Sequence, residues 1–475
     1  MRKIIAAVLG SILVGAAGPA EASGFLAARF GGELGHPTTE NPTAIYYNPA
    51  GLALGKGTRI YLDGTFALRH ATYDRPAAAI SNPIQEGEPA SGTPPDGIPA
   101  NSGEASLTNF IASPFAAVVS DLGVENLAVG LGFFVPFGGT AVWGKNEAYE
   151  SGALARKYPG ALDGPQRWWT EDGKIQSIYL SAAASYRLPE PRLSLGVSVS
   201  AINNVLHTVR ARNGDGSDDL VIGTGGQVEG RSLLDVSGWD VGVGLGAIWE
   251  PTEGFYLGLS YQSRPGFGDS MMKGTLTTWL GGNVESENVR VTQGLPDVWR
   301  AGARWRLDRE WELRLFGELA RWSFLRRQCV MHDQEGATCH IDEDGSAAPD
   351  SREFVVQNIQ RDWKDAFGIR AGASWWASEP LELFVGGGYD FNAIPDHTLD
   401  PSFYDMGKAT VSLGARYEFG EHLAFAATFT QVIYAERTVL VGDSQTSGDG
   451  TPLLPPSAQP NSAGTYRQSI SVLDV

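Results

Sequence analysis

The sequence predicts an all-β fold: a transmembrane antiparallel β-barrel of about fourteen strands with an N-terminal plug inside the lumen. Three observations predict it. Apolar and small or polar residues alternate with period two in segment after segment. The apolar faces of those segments end in aromatic residues. The connections between them are short and long in turn.

The alternation is plain in "LSLGVSVS", where Leu193, Leu195, Val197 and Val199 oppose Ser194, Gly196, Ser198 and Ser200. In "WRAGARWRL", Trp299, Ala301, Ala303, Trp305 and Leu307 oppose Arg300, Gly302, Arg304 and Arg306. In "ATVSLGARYEF", Val411, Leu413, Ala415, Tyr417 and Phe419 share a face opposite Thr410, Ser412, Gly414, Arg416 and Glu418. Successive strand residues point to opposite faces, so each segment has one apolar wall and one polar wall. A soluble sandwich shares this pattern. The aromatics Trp249, Tyr261, Trp299, Trp305, Trp311, Trp375 and Tyr417 favour the barrel, because membrane barrels carry aromatic girdles at both interfaces.

Short links fall near Asp121, Pro189, Thr252, Asp308, Glu379 and Gly420. Long polar segments run over residues 74–106, 138–173, 213–231, 280–287, 328–360, 394–407 and 442–464. Short turns on one side and long loops on the other are the outer-membrane pattern. Strands are expected to start near Thr58, Thr108, Asn126, Lys174, Leu193, Leu233, Phe255, Val289, Trp311, Asp362, Leu381, Lys408, Leu423 and Thr465. Closure removes the edges that lipid cannot satisfy. No later apolar run is long enough for a helical span, which needs about 18 residues or more.

The chain has 475 residues and a net charge of -18, with no basic block to suggest a nucleic-acid partner. Residues 1–22 read as a signal peptide: Arg2 and Lys3, an apolar run, then Ala20-Glu21-Ala22. Residues 23–57 read as the plug and 58–475 as the barrel. A lumen this wide leaks unless filled. The stretch "PTAIYYNPAGLALG" is apolar yet broken by proline and glycine, which suits irregular backbone buried within protein. Cys329 and Cys339, the only cysteines, sit close together in a polar stretch and are candidates for a disulfide in an exported protein.

"GFLAARFGGELG", followed by "PTAIYYNPAGLALGKGTRI", resembles the N-terminal hatch of the FadL family of long-chain fatty acid transporters, which includes importers of aromatic hydrocarbons. Asn48, Pro49, Ala50 and Gly51 are its most specific piece. "GLGFFVPFGG", "GLPDVWRAGARWRL", "DWKDAFGIRAGASWW" and "LELFVGGGYDFNAIPD" resemble later strands of the family in the same order. The resemblance implies capture from outside, a tighter site in the lumen against the hatch, and lateral exit at a kink in the third strand. Phe134, Pro136, Phe137 and Gly138 are the expected positions of that opening. Proline cannot donate to the ladder and belongs at edges or bulges; it is equally at home ending a strand before a loop.

Arg300, Arg304, Arg370 and Arg416 fall on polar faces and are the candidate lumen contacts for a carboxylate-bearing substrate. The competing reading is charge balance against Glu382, Asp390 and Glu418. Tyr149, Leu154, Tyr158, Trp168 and Trp169 either form a greasy capture surface in a long loop or pack that loop on itself. Asn213, Asp215, Ser217 and Asp219 alternate as calcium ligands do, but lack the glycine pattern and later glutamate of a calcium hand. The mature chain has no G-x-S-x-G or H-E-x-x-H motif. The last strand, ending at Val475 without a terminal aromatic, is expected to be short.

The expected protein is a monomer of the bacterial outer membrane of a Gram-negative cell, in contact with bilayer and lipopolysaccharide. It is expected to pass hydrophobic compounds, long-chain fatty acids foremost, without cofactor, metal or enzymatic activity. An aromatic hydrocarbon importer, a surface-interaction barrel with a closed lumen, and a membrane-embedded lipid hydrolase are the other readings.

Overall fold

A computed structural model describes residues 29–84, 91–221, 228–403, 405–447 and 450–475. The expected signal peptide lies outside the described residues.

The strands form one closed antiparallel barrel. They are β1 (Arg59–Arg75), β2 (Gly103–Ser120), β3 (Leu127–Val142), β4 (Asp172–Leu188), β5 (Leu193–Arg212), β6 (Gly230–Thr252), β7 (Phe255–Gln262), β8 (Ser270–Leu280), β9 (Asn283–Gln293) and β10 (Val298–Arg306). They continue with β11 (Trp311–Ala320), β12 (Arg327–His332), β13 (Val355–Gln360), β14 (Ala366–Ser378), β15 (Leu381–Asp390), β16 (Lys408–Phe419), β17 (Leu423–Tyr434), β18 (Arg437–Val439) and β19 (Gly464–Asp474). Consecutive spans pair around the wall, and β19 closes on β1 over ten residue pairs, from Thr65↔Asp474 to Asp74↔Thr465. The last strand, expected to be short, has eleven residues, more than β10, β11 or β15, and closes the barrel.

Nineteen segments make fourteen spans, because five spans are broken in two among the described residues. The breaks fall at residues 263–269, 294–297, 321–326, 361–365 and 435–436. The expected start at Asp362 lies in one such break, and the start near Val289 lies inside β9. Residues 280–287, expected to be a long loop, instead form a tight hairpin between β8 and β9 with Leu280 paired to Asn283. Gly281 and Gly282 take φ of 58° and 82°, the left-handed pair that a two-residue hairpin turn requires.

The lipid face is the one read from alternation. Leu195, Val197, Val199, Leu245, Val411 and Leu413 are exposed, while Ser194, Ser198, Ser200 and Ser412 are buried. Trp311 stacks on Trp375 at 6.0 Å near the short turns, and Tyr261 packs on Trp299 at 4.6 Å further up the wall. Trp299 and Trp305 on β10 are six residues apart, about 20 Å of strand, close to the roughly 25 Å apolar band of such barrels.

Residues 29–57 lie within the barrel, touching inward faces on opposite walls. On one side Ser185 and Ser260 hydroxyls donate to the carbonyls of Ala50 and Tyr47 at 3.0 and 2.6 Å. On the other, Arg29 reaches Ser412 and pairs with Glu33 at 3.0 Å. The inward glycines make room. A Cβ on Gly196 would come 2.3 Å from the Ala50 nitrogen, and one on Gly258 would come 2.4 Å from the Pro37 oxygen.

Candidate functional site

The Asn48–Gly51 element sits at the end of a short helix, α1 (Ala44–Tyr47), and caps the next helical turn with its own side chain. Asn48 is fully buried. Its Oδ1 accepts from the Ala50 amide at 3.1 Å. Its Nδ2 donates to the carbonyls of Pro37, Ala247 and Leu259 at 2.8, 3.1 and 3.3 Å. One side chain therefore ties the segment to itself and to β6 and β7. Pro49, Ala50 and Gly51 are buried beside it. Phe30 and Tyr46 of the segment pack with Phe115, Phe134 and Tyr179 of the wall as an aromatic cluster, with ring centroids 5.0–5.8 Å apart.

The pairing of β2 with β3 begins at Ser120↔Val129 and stops at Phe115↔Phe134. Beyond it, residues 103–114 pair with β1 alone and residues 137–142 with β4 alone. Pro136 lies inside β3 at a register shift between Phe134 and Phe137, so it interrupts the ladder instead of ending the strand. Phe134, Phe137 and Val135 are buried, and Gly138 is half-buried. Side chains clasp the unpaired stretch: Ser113 Oγ donates to the Val135 carbonyl at 3.2 Å and Asn109 Nδ2 to the Thr140 carbonyl at 2.8 Å.

Three cavities adjoin one another above the N-terminal segment. A cavity of 330 Å³ is lined by Arg29, by Phe110–Ser113 of β2 and by Val135, Gly138, Gly139 and Thr140 of β3. It therefore touches the N-terminal segment and both edges of the unpaired stretch. It shares Arg69, Gly139, Thr140, Lys174 and Ile175 with a narrow neck of 70 Å³. The neck shares Arg210 with a polar cavity of 270 Å³ under the outer loops.

The four arginines expected to meet a substrate are each paired with carboxylates. Arg300 binds Glu318 and lies over the Tyr46 ring at 4.4 Å, clamping the N-terminal segment. Arg304 pairs with Glu40 and Glu312, both at 3.8 Å. Arg370 meets Asp390 at 2.6 Å, and Arg416 meets Glu418 at 2.7 Å and Glu382 at 3.6 Å. Of the four, only Arg370 lines the large cavity. The balance expected against Glu382, Asp390 and Glu418 is present. The basic groups of the neck, Arg69, Lys174, Arg210 and Arg361, were not singled out from the sequence. "TVRARN" shows two arginines on one strand face, but which of them lacks a carboxylate depends on loops far away in the chain.

The outer loops pack on themselves. Tyr149, Tyr158, Trp168 and Trp169 are buried, and of the five capture candidates only Leu154 is exposed. Trp168 Nε1 and Arg167 Nη2 both donate to Asn101 Oδ1, at 3.0 and 2.9 Å. The acidic loop is committed too: Asp218 pairs with the buried Arg75 at 2.6 Å, Asp219 accepts from Asn82, and Asp215 accepts from Ser217. Arg231 pairs with three carboxylates, Asp163, Glu171 and Glu229, at 2.6, 2.6 and 2.7 Å. Burial first, then the neighbouring Asp163 and Glu229, push the Glu171 carboxyl up to about 7 despite that pairing. Cys329 on β12 and Cys339 are joined as a disulfide. No group of three or more metal-ligating side chains occurs among the described residues.

Comparison with known proteins agrees with this architecture. The chain is 23% identical to outer membrane protein P1 of Haemophilus influenzae over 457 residues, covering 89% of each. It superposes on a FadL homologue of Pseudomonas aeruginosa with a TM-score of 0.71 at 16% identity, covering 95% of this chain and 98% of that one. It superposes on the toluene transporter TbuX of Ralstonia pickettii with a TM-score of 0.56 at 16% identity, covering 96% and 97%. At such identities the two structures show the fold. Residues 20–455 match the sequence pattern of the family described as outer membrane protein transport protein (OMPP1/FadL/TodX). That match spans most of the chain, so this outer-membrane barrel belongs to the OMPP1/FadL/TodX family.

Proposed function

We propose that this protein passes hydrophobic compounds, long-chain fatty acids foremost, from the cell surface through the lumen and sideways into the bilayer between β2 and β3. The observation that carries the reading is the 330 Å³ cavity whose lining includes both edges of the unpaired stretch. Phe134, Pro136, Phe137 and Gly138 then form one jamb of the opening. Residues 29–57 act as the hatch, held by Asn48. An apolar solute that leaves sideways re-enters hydrocarbon without crossing the polar surface of the membrane, and the β2 and β3 groups left unpaired there face protein or cavity, where irregular backbone is tolerated.

The test is uptake in cells that lack their own fatty acid importer. Labelled oleate and labelled toluene are compared for the parent chain and for a Ser113→Cys, Val135→Cys pair, whose disulfide would staple the gap. Uptake should rise with the parent chain, fall with the stapled one and return on reduction, with reduced parent as the control for Cys329–Cys339. An inserted barrel that raises neither uptake would sink the reading. So would a stapled variant that transports as well as the parent. Toluene uptake alone would move the substrate to aromatic hydrocarbons.

A further inference from the structure

The outer wall carries a basic patch that the path through the lumen does not use. It begins at the upper aromatic pair, Tyr261 and Trp299. Tryptophan and tyrosine in a membrane wall sit at the level of the lipid headgroups. A chain of contacts climbs from there. Tyr261 donates its hydroxyl to Asp297 at 3.2 Å, and Arg321 donates to both oxygens of Asp297 at 2.7 Å. The Arg321 guanidinium lies over the Phe324 ring at 4.8 Å, and that of Arg264 lies over the same ring at 4.0 Å. Arg264 follows the end of β7 and Phe324 the end of β11, with β10 between those strands. The breaks at residues 263–269 and 321–326 bring the two together.

The patch faces away from the lumen. Leu313 and Leu315 are exposed on the lipid side of β11, and Arg321 continues their period of two, whereas Trp322 and Leu325 are buried. Two guanidiniums over one ring share a single carboxylate, which Arg321 holds. Among the described residues Arg264 has the Phe324 ring for a partner and no carboxylate within ion-pair distance. Arg326, two residues past Phe324, is exposed and equally without a carboxylate. Asp365 stands here too, but it accepts from the Ser323 amide at 3.0 Å. Like charges held this close repel, and a second anion relieves them.

We propose that Arg264, with Arg326 on the far side of Phe324, binds a phosphate on the lipid anchor of a lipopolysaccharide molecule packed against the outer wall. The depth is right for it. Arg264 lies three residues past Tyr261, about 10 Å of extended chain towards the outside. The anchor carries its phosphates on the same sugars that bear its acyl chains, so phosphate and chain arrive together. The chains then lie on the exposed wall below, over Leu259 of β7, Ala301 of β10 and Leu315 of β11. A guanidinium takes phosphate bidentately and with little loss of hydration. The site stands apart from the transport reading, and its test does not depend on uptake.

The test is native mass spectrometry of the purified full-length barrel in detergent. The titrants are lipid A with its phosphates and the same lipid with its phosphates removed, with inorganic phosphate as competitor. The parent should bind the phosphorylated lipid at least tenfold more tightly. Arg264→Gln combined with Arg326→Gln should cut that preference to within twofold and leave the dephosphorylated lipid as it was. Arg467→Gln removes an exposed arginine of β19, elsewhere on the wall, and should change nothing. Heat-modified migration on gels checks that each variant is a folded barrel. Should the double variant fail it, Arg264→Lys decides, because it keeps the charge, loses the fork and should weaken the phosphorylated lipid selectively. Equal binding of both lipids by the parent, a preference that survives in the folded variant, or an equal loss with Arg467→Gln overturns the site. Inorganic phosphate that displaces the lipid at equal concentration would mark a site for a free anion and overturn the lipid assignment.

Discussion

Replacing Asn48 by alanine should release the N-terminal segment without unfolding the barrel. The side chain makes one accepted bond, from the Ala50 amide, and shares two N–H groups among three carbonyls, those of Pro37, Ala247 and Leu259. Loss of the helix-capping bond costs about 1 kcal/mol. Loss of two further bonds costs about 1 kcal/mol each, since their partners are buried. The sum, about 3 kcal/mol, corresponds to roughly a hundredfold rise in the open population of the segment. The wall ladders do not include Asn48, so barrel melting should hardly move. Hydrogen exchange in detergent reads the two separately. Amides of residues 44–51 should exchange about a hundredfold faster, while those of β5 and β16 keep their protection. Unchanged protection at residues 44–51, or protection lost equally through the wall, would show that Asn48 does not hold the segment in the way the geometry implies.

Three other outcomes follow from particular contacts. The Glu171 carboxyl titrates near 7, above the ~4.3 of an unfolded chain, so the folded loops bind the extra proton between those values. Their stabilisation from this group is full below about pH 4 and is lost as pH rises towards 7; outer-loop amide protection should fall over that window, and Glu171→Gln should flatten the fall. The Cys329–Cys339 bond closes a short ring, ten residues apart in sequence. Double replacement by serine should cost about 3 kcal/mol by loop entropy, seen as faster exchange in residues 329–354 with the rest of the barrel unaffected. Leu413→Arg puts a charge on the exposed lipid face of β16 and should cost about 2–4 kcal/mol in vesicle unfolding titrations; arginine at the inward-facing Ser412 should meet protein and cavity, not lipid.

Transmembrane strands advertise themselves, because lipid on one side and lumen on the other impose a strict period of two. Leu195, Val197 and Val199 could be placed on the membrane side from "LSLGVSVS" alone, and the fourteen spans counted from such runs. Where a strand leaves the membrane that pressure ends. The tip of the β8–β9 hairpin, residues 280–287, therefore reads as a loop, with the exposed Asn283 and Glu285 in place of leucines. The breaks at residues 294–297 and 361–365 escaped for the same reason.

What the sequence determined by itself is the barrel, its membrane compartment and the two candidate cysteines. These follow from local rules: strand period, turn residues and the order of motifs. What only the tertiary structure decided is which charges are already spent. On their strands Arg300, Arg304, Arg370 and Arg416 fit either a substrate or a carboxylate, and the structure gives each a carboxylate partner. Arg210 looked no different, yet among the described residues its hydrogen-bond partner is Gln459, 249 residues away. Charge pairing depends on strand register and loop contacts: Glu318 and Glu382 stand opposite Arg300 and Arg416 on neighbouring strands, whereas Gln459 reaches Arg210 from a loop far along the chain.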